Sequence, residues 1–245
     1  MNLTISVGGI AMDAELTLPE QGGSLAAVVL CPGLTRDIAG LAFLRDALVA
    51  DGRAVLAIRY RGMDLLDDDE DVQAAIDLLA AHDRVDASRI ALVGHSRGSM
   101  VSLRTAAKDT RVSAVAAIHP VTDFLGYVRA SRDYAPVRYA ALVSRFGDAD
   151  PFVDPEPYER YAALNYADRI TAPVLLIAGT TDMHSPLHHS QLMNDALIAA
   201  GNTDTRLEIM EGSGHFFERY YLDDCRDETA ALVTEWLATA VPTTR

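Results

Sequence analysis

Lysine is almost absent from this chain: Lys108 is the only one, and arginine supplies the rest of its 21 basic residues. The 35 acidic residues outweigh them and leave a formal charge of −14. A surface of that sign repels polyphosphate and anionic lipid, so nucleic acid and membranes fall outside the expected partners. Cysteine is scarce too. Cys31 and Cys225 stand far apart with no metal-ligand spacing, which argues for two reduced thiols and against a disulfide framework or a metal site. No apolar run approaches the roughly 20 residues that span a bilayer. The opening MNLTISVGGI has neither the basic start nor the long apolar stretch of a secretory signal. A cytoplasmic protein acting on a small molecule is the expectation, and a homo-oligomer is compatible with it.

The chain also lacks low-complexity linkers and internal repeats. At 245 residues and 49% hydrophobic content it suffices for one sizeable core, so 1–245 is read as a single domain. Short β-type runs alternate with amphipathic helical runs, the pattern of a mainly parallel sheet covered on both faces. AAVVLCPG, AVLAIRY, RIALVGHS, SAVAAIHP, APVLLIAGTTD and TRLEIMEGSGH each read as a strand running into a loop. Between them, Leu41, Leu44 and Leu48 share one helical face, as do Val72, Ala75, Ile76 and Leu79. LTISVGGIAMDAELTLP alternates and predicts a leading hairpin, and DETAALVTEWLATAV closes the chain as a helix. The acidic run DLLDDDEDV invites a metal reading, but carboxylates also gather where a helix start favours negative charge, and that is the preferred reading.

One stretch breaks the alternation. Residues 124–170 separate two strands and hold six of the nine tyrosines: Tyr127, Tyr134, Tyr139, Tyr158, Tyr161 and Tyr166. A connection this long is expected to be a cap or binding element.

VGHSRG, Val93 to Gly98, lies where an apolar strand gives way to a helical run. The pattern Gly-x-Ser-x-Gly is short enough to arise by chance in about one chain in ten of this length, so its position carries the argument. A serine raised on a sharp strand-to-helix turn sits in strained backbone, and residues two positions either side of it crowd each other. Gly94 and Gly98 remove the side chains that would collide. The helix starting near Arg97 turns its free N–H groups toward the turn, which suits a developing negative charge. A hydrogen-bonded serine in a tight turn is the plain alternative.

A serine hydroxyl becomes a nucleophile when a base takes its proton and a third group holds the base. Among seven histidines, His215 in EGSGHFF lies in a Gly-rich loop after the last predicted strand, and loops at the carboxyl ends of strands are where open α/β sheets build sites. His82, His95, His119, His184, His188 and His189 lie in a helix, in the serine turn, after a strand, and near a helix start. For the carboxylate, Asp182 ends PVLLIAGTTD and Asp123 ends HPVTD; both fall between serine and histidine in the chain. Asp182 is preferred because its strand should neighbour the one that delivers His215.

GHSRG, LLIAGTTD and GSGHFF together resemble the α/β-hydrolase superfamily, in detail its prolyl-oligopeptidase-like and dienelactone-hydrolase-like branch. The resemblance runs over nearly the whole chain. It implies an α/β-hydrolase fold, a mostly parallel sheet of about eight strands with helices on both faces and a cap between the sixth and seventh. It also implies a cofactor-free, metal-free Ser96–His215–Asp182 triad, with an oxyanion hole from the backbone N–H groups of Arg97 and Leu34. Pro32 stands before Gly33 where many relatives carry histidine, which puts the register of that loop in question. The propeller of prolyl oligopeptidases has no counterpart here. The function expected is cleavage of a carboxylic ester through an acyl-enzyme. Thioester or small-peptide amide cleavage, acyl transfer or cyclisation on the same triad, and a non-catalytic binding module are the alternatives. Arg129, Arg132 and Arg138 in the cap are candidates to recognise an acidic substrate, although solvated surface arginines explain them as well. Arg36, near the oxyanion loop, carries no assignment.

Overall fold

The computed structural model describes residues 1–20, 23–34, 38–62, 65 and 67–243; Arg36 lies outside them. Its first two strands, β1 (Asn2–Val7) and β2 (Ile10–Thr17), form the expected antiparallel hairpin. Gly8 and Gly9 join them, both at positive φ (58° and 82°), the twist a two-residue hairpin turn demands. The strands that follow are β3 (Leu25–Cys31), β4 (Ala54–Ile58), β5 (Val85–His95), β6 (Val112–Ile118), β7 (Val174–Gly179) and β8 (Thr205–Met210). They make one eight-stranded sheet in the order β1-β2-β4-β3-β5-β6-β7-β8. From β4 to β8 every neighbouring pair is parallel. The hairpin joins antiparallel through β2 and β4.

The central strands are apolar without alternation because both their faces are covered; β3, β4 and β7 are buried at every position. Alternate residues feed two cores. Ala27, Val29 and Cys31 of β3 join the side chains of α2 (Asp68–Ala80), α3 (Arg97–Ala106) and α7 (His188–Ala199). Ala26, Val28 and Leu30 join α1 (Ala42–Ala50) and α8 (Arg226–Ala240) on the opposite face.

Between β6 and β7 the chain folds as α4 (Phe124–Tyr134), α5 (Pro136–Val143) and α6 (Glu156–Tyr161), with short 3-10 segments at Ser144–Phe146 and Ala163–Arg169. These helices share a third apolar cluster, in which the Phe146 and Tyr158 rings stack with centroids 4.5 Å apart. The tyrosine bias of the segment is therefore largely packing. Tyr127, Tyr158 and Tyr161 are buried in this cluster, while Tyr134 is exposed.

The acidic run does begin a helix, since Asp68, Asp69, Glu70 and Asp71 occupy the first turn of α2. Its side chains, however, are not a solvated face. Asp68 pairs with Arg97, Asp69 with Arg104 and Lys108, and Asp71 with Arg61, and all three aspartates are buried. Arg97 also lies over the Tyr60 ring (4.1 Å), and Arg104 lies over the Tyr161 ring (4.3 Å) and donates to the Tyr161 carbonyl (3.3 Å). The pairs thus bind α2 to α3 and α3 to the inserted helices. Removing one member of a buried pair strands the other charge, which costs about 3–5 kcal/mol. With Lys108 still beside Asp69, Arg104→Met should lower the unfolding free energy by about 3 kcal/mol in urea denaturation. A loss below about 1 kcal/mol would show that the pair is structurally idle.

Candidate active site

Ser96 is the single residue between β5 and α3, and its backbone is held at φ 54°, ψ −113°. An L-residue adopts such a conformation only when its surroundings impose it. Here they do. A Cβ on Gly94 would lie 2.3 Å from the Gly98 backbone, and one on Gly98 would lie 2.0 Å from the Cys31 carbonyl oxygen. The hydroxyl of Ser99 locks the turn from below by reaching the carbonyls of Gly94 and Ile118 (2.7 Å each).

β7 and β8 are neighbours, as the choice of Asp182 required, and the loops after them bring Asp182 and His215 to Ser96. His215 Nε2 lies 3.0 Å from Ser96 Oγ, and His215 Nδ1 lies 2.8 Å from Asp182 Oδ2. An ionised carboxylate only accepts, so the His215 proton sits on Nδ1 and leaves the Nε2 lone pair toward the serine. The other carboxylate oxygen, Oδ1, accepts the backbone N–H groups of His184 (2.8 Å) and Ser185 (2.7 Å). His95, the variable residue of the serine turn, donates from Nε2 to the His215 carbonyl (2.9 Å) and so braces the loop that carries the base. Asp123, the rival carboxylate, is elsewhere: it caps α4 by accepting the Gly126 N–H (3.0 Å).

A further histidine joins the group. His119, just after β6, places Nδ1 2.7 Å from the same Asp182 Oδ2 that His215 uses. In the sequence His119 shows only as a residue that follows a strand. The same signal that marks Asp182 marks it, a polar residue ending an apolar run in AAIHP. Burial alone would push the Asp182 carboxyl up, but the hydrogen bonds and charge of the two imidazoles outweigh it and hold the group below the usual carboxylate range. His184 is held below the ordinary histidine value, by burial first and then by His215 and Arg138. Among the described residues, His119, Asp182 and His215 form the group whose potential metal-ligand atoms converge, within 4.8 Å of one another. Those atoms are engaged in the imidazole–carboxylate hydrogen bonds.

Ser96 opens into a pocket of about 370 Å³. Gly33 and Leu34 line it, and a Cβ on Gly33 would sit 3.5 Å from Ser96 Cβ, so the loop after β3 lies directly beside the serine. Arg97 lines it as well. Leu65, Met100 and Val121 give it apolar walls, and Phe124, Tyr127, Arg138, Leu142 and Tyr161 complete it from the inserted helices. Of the three arginines singled out in that segment, only Arg138 reaches the pocket. Its guanidinium donates to the Tyr127 hydroxyl (2.8 Å) and to His184 Nδ1 (3.3 Å), and among the described residues it has no carboxylate partner. Arg129 instead donates to the Pro151 carbonyl (3.0 Å), and Arg132 lies over the Phe152 ring at 4.1 Å.

Residues 66–242 match the model of the prolyl oligopeptidase family. The chain belongs to that family. The matched span holds Ser96, Asp182 and His215, and the Gly33–Leu34 loop lies outside it. Among curated proteins of similar sequence is the uncharacterized peptidase YtmA of Bacillus subtilis, 28% identical over 132 residues, which are 54% of this chain and 49% of that protein. This chain therefore aligns with about half the length of that relative. Among solved structures, an acylaminoacyl peptidase of Pyrococcus horikoshii superposes with a TM-score of 0.83 at 15% identity, over 100% of this chain and 42% of the other. An esterase of Pyrococcus furiosus superposes with a TM-score of 0.75 at 19% identity, over 98% of this chain and 91% of the other. The fold is that of the α/β-hydrolases. No helix among the described residues is long and apolar enough to cross a membrane.

The closeness of Gly98 to Cys31 gives a direct test of the turn. Gly98→Ala forces a methyl into a backbone contact that no rotamer change relieves, and should cost about 3 kcal/mol or more in urea denaturation. A variant as stable as the parent would mean that the turn has slack the geometry does not show.

Proposed function

We propose that the protein is a serine hydrolase that cleaves a carboxylic ester of small acyl or aryl size. The observation that carries this reading is the unbroken line from Ser96 Oγ through His215 to Asp182, with steps of 3.0 and 2.8 Å, at the edge of an apolar pocket. As the Ser96 oxygen adds to the acyl carbonyl, its proton passes to His215 Nε2, and Asp182 stabilises the imidazolium that forms. The carbonyl oxygen becomes an oxyanion beside the backbone N–H groups of Arg97 and Leu34; losing one such donor typically slows a reaction about 10²–10³-fold. The Arg97 guanidinium is tied to Asp68, so its side chain stays clear while its N–H serves at the start of α3. His215 then returns the proton to the leaving alkoxide, and water repeats the sequence to free the acid and Ser96. Peptidases and an esterase among similar proteins fit the same chemistry. An ester asks least of one imidazole, because an alkoxide leaves more readily than an amine anion.

A fluorophosphonate should label the protein stoichiometrically, and Ser96→Ala should abolish both labelling and turnover of aryl esters. Folded protein that neither reacts nor turns over would point to the binding-module reading, and products captured by added alcohols would point to acyl transfer. Asp182→Asn should lower kcat about 10⁴-fold, as expected when the imidazole loses its orienting carboxylate. Asp123→Asn should stay within about twofold of the parent, because asparagine caps a helix as well as aspartate. The reverse ranking would move the acid to Asp123.

Arg138, which has no carboxylate partner among the described residues, brings a cation to an apolar pocket, a natural anchor for an anionic substituent. An aryl ester with a carboxylate on its acyl chain should be favoured over its neutral analogue, and Arg138→Met should lower that preference about tenfold. Equal effects on both esters would exclude the anchor.

A further inference from the structure

We propose that His119 is a positioning residue of the triad, a second imidazole that clamps the Asp182 carboxylate in the orientation His215 requires. The proposal rests on the hydrolase reading above and adds a fourth member to its hydrogen-bonded group. Asp182 receives four hydrogen bonds: the backbone N–H groups of His184 and Ser185 on Oδ1, and the Nδ1–H groups of His215 and His119 on Oδ2. A carboxylate with both oxygens doubly engaged is not free to rotate about its Cβ–Cγ bond. The His119 and Asp182 side chains are both sealed from solvent, so no water can take over the place of a lost donor.

The backbone is bent to make this contact. His119 adopts φ 55°, outside the range β6 would carry forward, while its N–H stays anchored on the Ile177 carbonyl (2.8 Å) of the neighbouring β7. Such a conformation in a non-glycine residue is held by its surroundings. The two imidazoles then divide the work. His215 turns Nε2 to Ser96, whereas His119 Nε2 is buried and has no hydrogen-bond partner among the described residues. His119 is thus placed to hold a proton donor on Asp182 and not to relay a proton onward. Burial by itself favours the uncharged form of the Asp182 carboxyl, and the His119 hydrogen bond is the largest single interaction opposing it. A neutral acid at that place would give no charge to stabilise the His215 imidazolium. The other groups around His119 are the His95, His215 and Phe217 rings, with centroids 5.8, 5.7 and 5.9 Å away.

Kinetics on an aryl ester separate a clamp from a space-filling ring. His119→Phe keeps a ring and removes the donor; it should lower kcat ten- to a hundredfold while KM stays within about twofold. His119→Gln restores an N–H donor and should recover most of that loss. A Phe variant with undiminished kcat, or a Gln variant no better than Phe, overturns the proposal. Proton NMR of the parent protein with ¹⁵N-labelled histidine tests it without reliance on a variant that folds. Two low-field Nδ1–H signals, from His119 and His215, are expected, and a single one from His215 contradicts the shared carboxylate. An enzyme labelled at Ser96 yet indifferent to His119 loses only this proposal, whereas absence of labelling and turnover in the parent removes the hydrolase reading itself.

Discussion

The Gly98 backbone lies so close to the Cys31 carbonyl that one added carbon would have to sit 2.0 Å from the oxygen. Everything at the site follows from that contact. It seats the start of α3 against the end of β3, forces Ser96 into a conformation few residues accept, and brings the serine beside the loop that carries Leu34. Strand order supplies the rest. β5 lies inside the sheet, β6, β7 and β8 follow to one side in sequence, and their carboxyl ends deliver Ser96, His119, Asp182 and His215 to one rim. A parallel sheet puts every strand-to-helix loop on the same edge, so residues more than a hundred positions apart meet without a special device.

Charge is sorted just as firmly. The aspartates in the first turn of α2 are paired with Arg61, which follows β4, and with Arg97, Arg104 and Lys108 in and just after α3. The imidazoles surround a single carboxylate, Asp182. These two networks meet at Arg97, which follows the serine: its side chain belongs to the first, and the residue lines the pocket beside the second. Of the two arginines that line the pocket, Arg97 is paired with Asp68, whereas Arg138 has no carboxylate partner among the described residues.

What could be read from the sequence was local or periodic. The serine turn is legible because its constraint lies within five residues, and the strands because apolar runs mark a sheet covered on both faces. Asp182 and His215 are legible because each lies in the loop that follows an apolar strand. The buried pairs of the acidic run are not, since Asp68 and Asp69 find partners 29 and 35 residues further on, whose positions depend on how α3 crosses α2. His119 shows the same limit: only the pairing of β6 with β7 reveals that its imidazole shares a carboxylate with His215. Arg129, Arg132 and Arg138, three of the arginines of the inserted segment, look alike in sequence. They are sorted by the break at Ala135, which leaves the helical conformation (φ −144°, ψ 62°) before Pro136 starts a new helix and gives Arg138 a different bearing from Arg129 and Arg132.

The central claim is that Ser96 is the nucleophile in a pocket prepared for an oxyanion. A crystal structure of the protein after reaction with a fluorophosphonate tests it most directly. The account predicts phosphorus bonded to Ser96 Oγ, one phosphonyl oxygen within hydrogen-bond reach of the Arg97 and Leu34 backbone N–H groups, and the His215 ring still between Ser96 and Asp182. Phosphorus on another residue, or a phosphonyl oxygen pointing away from both N–H groups, would contradict it.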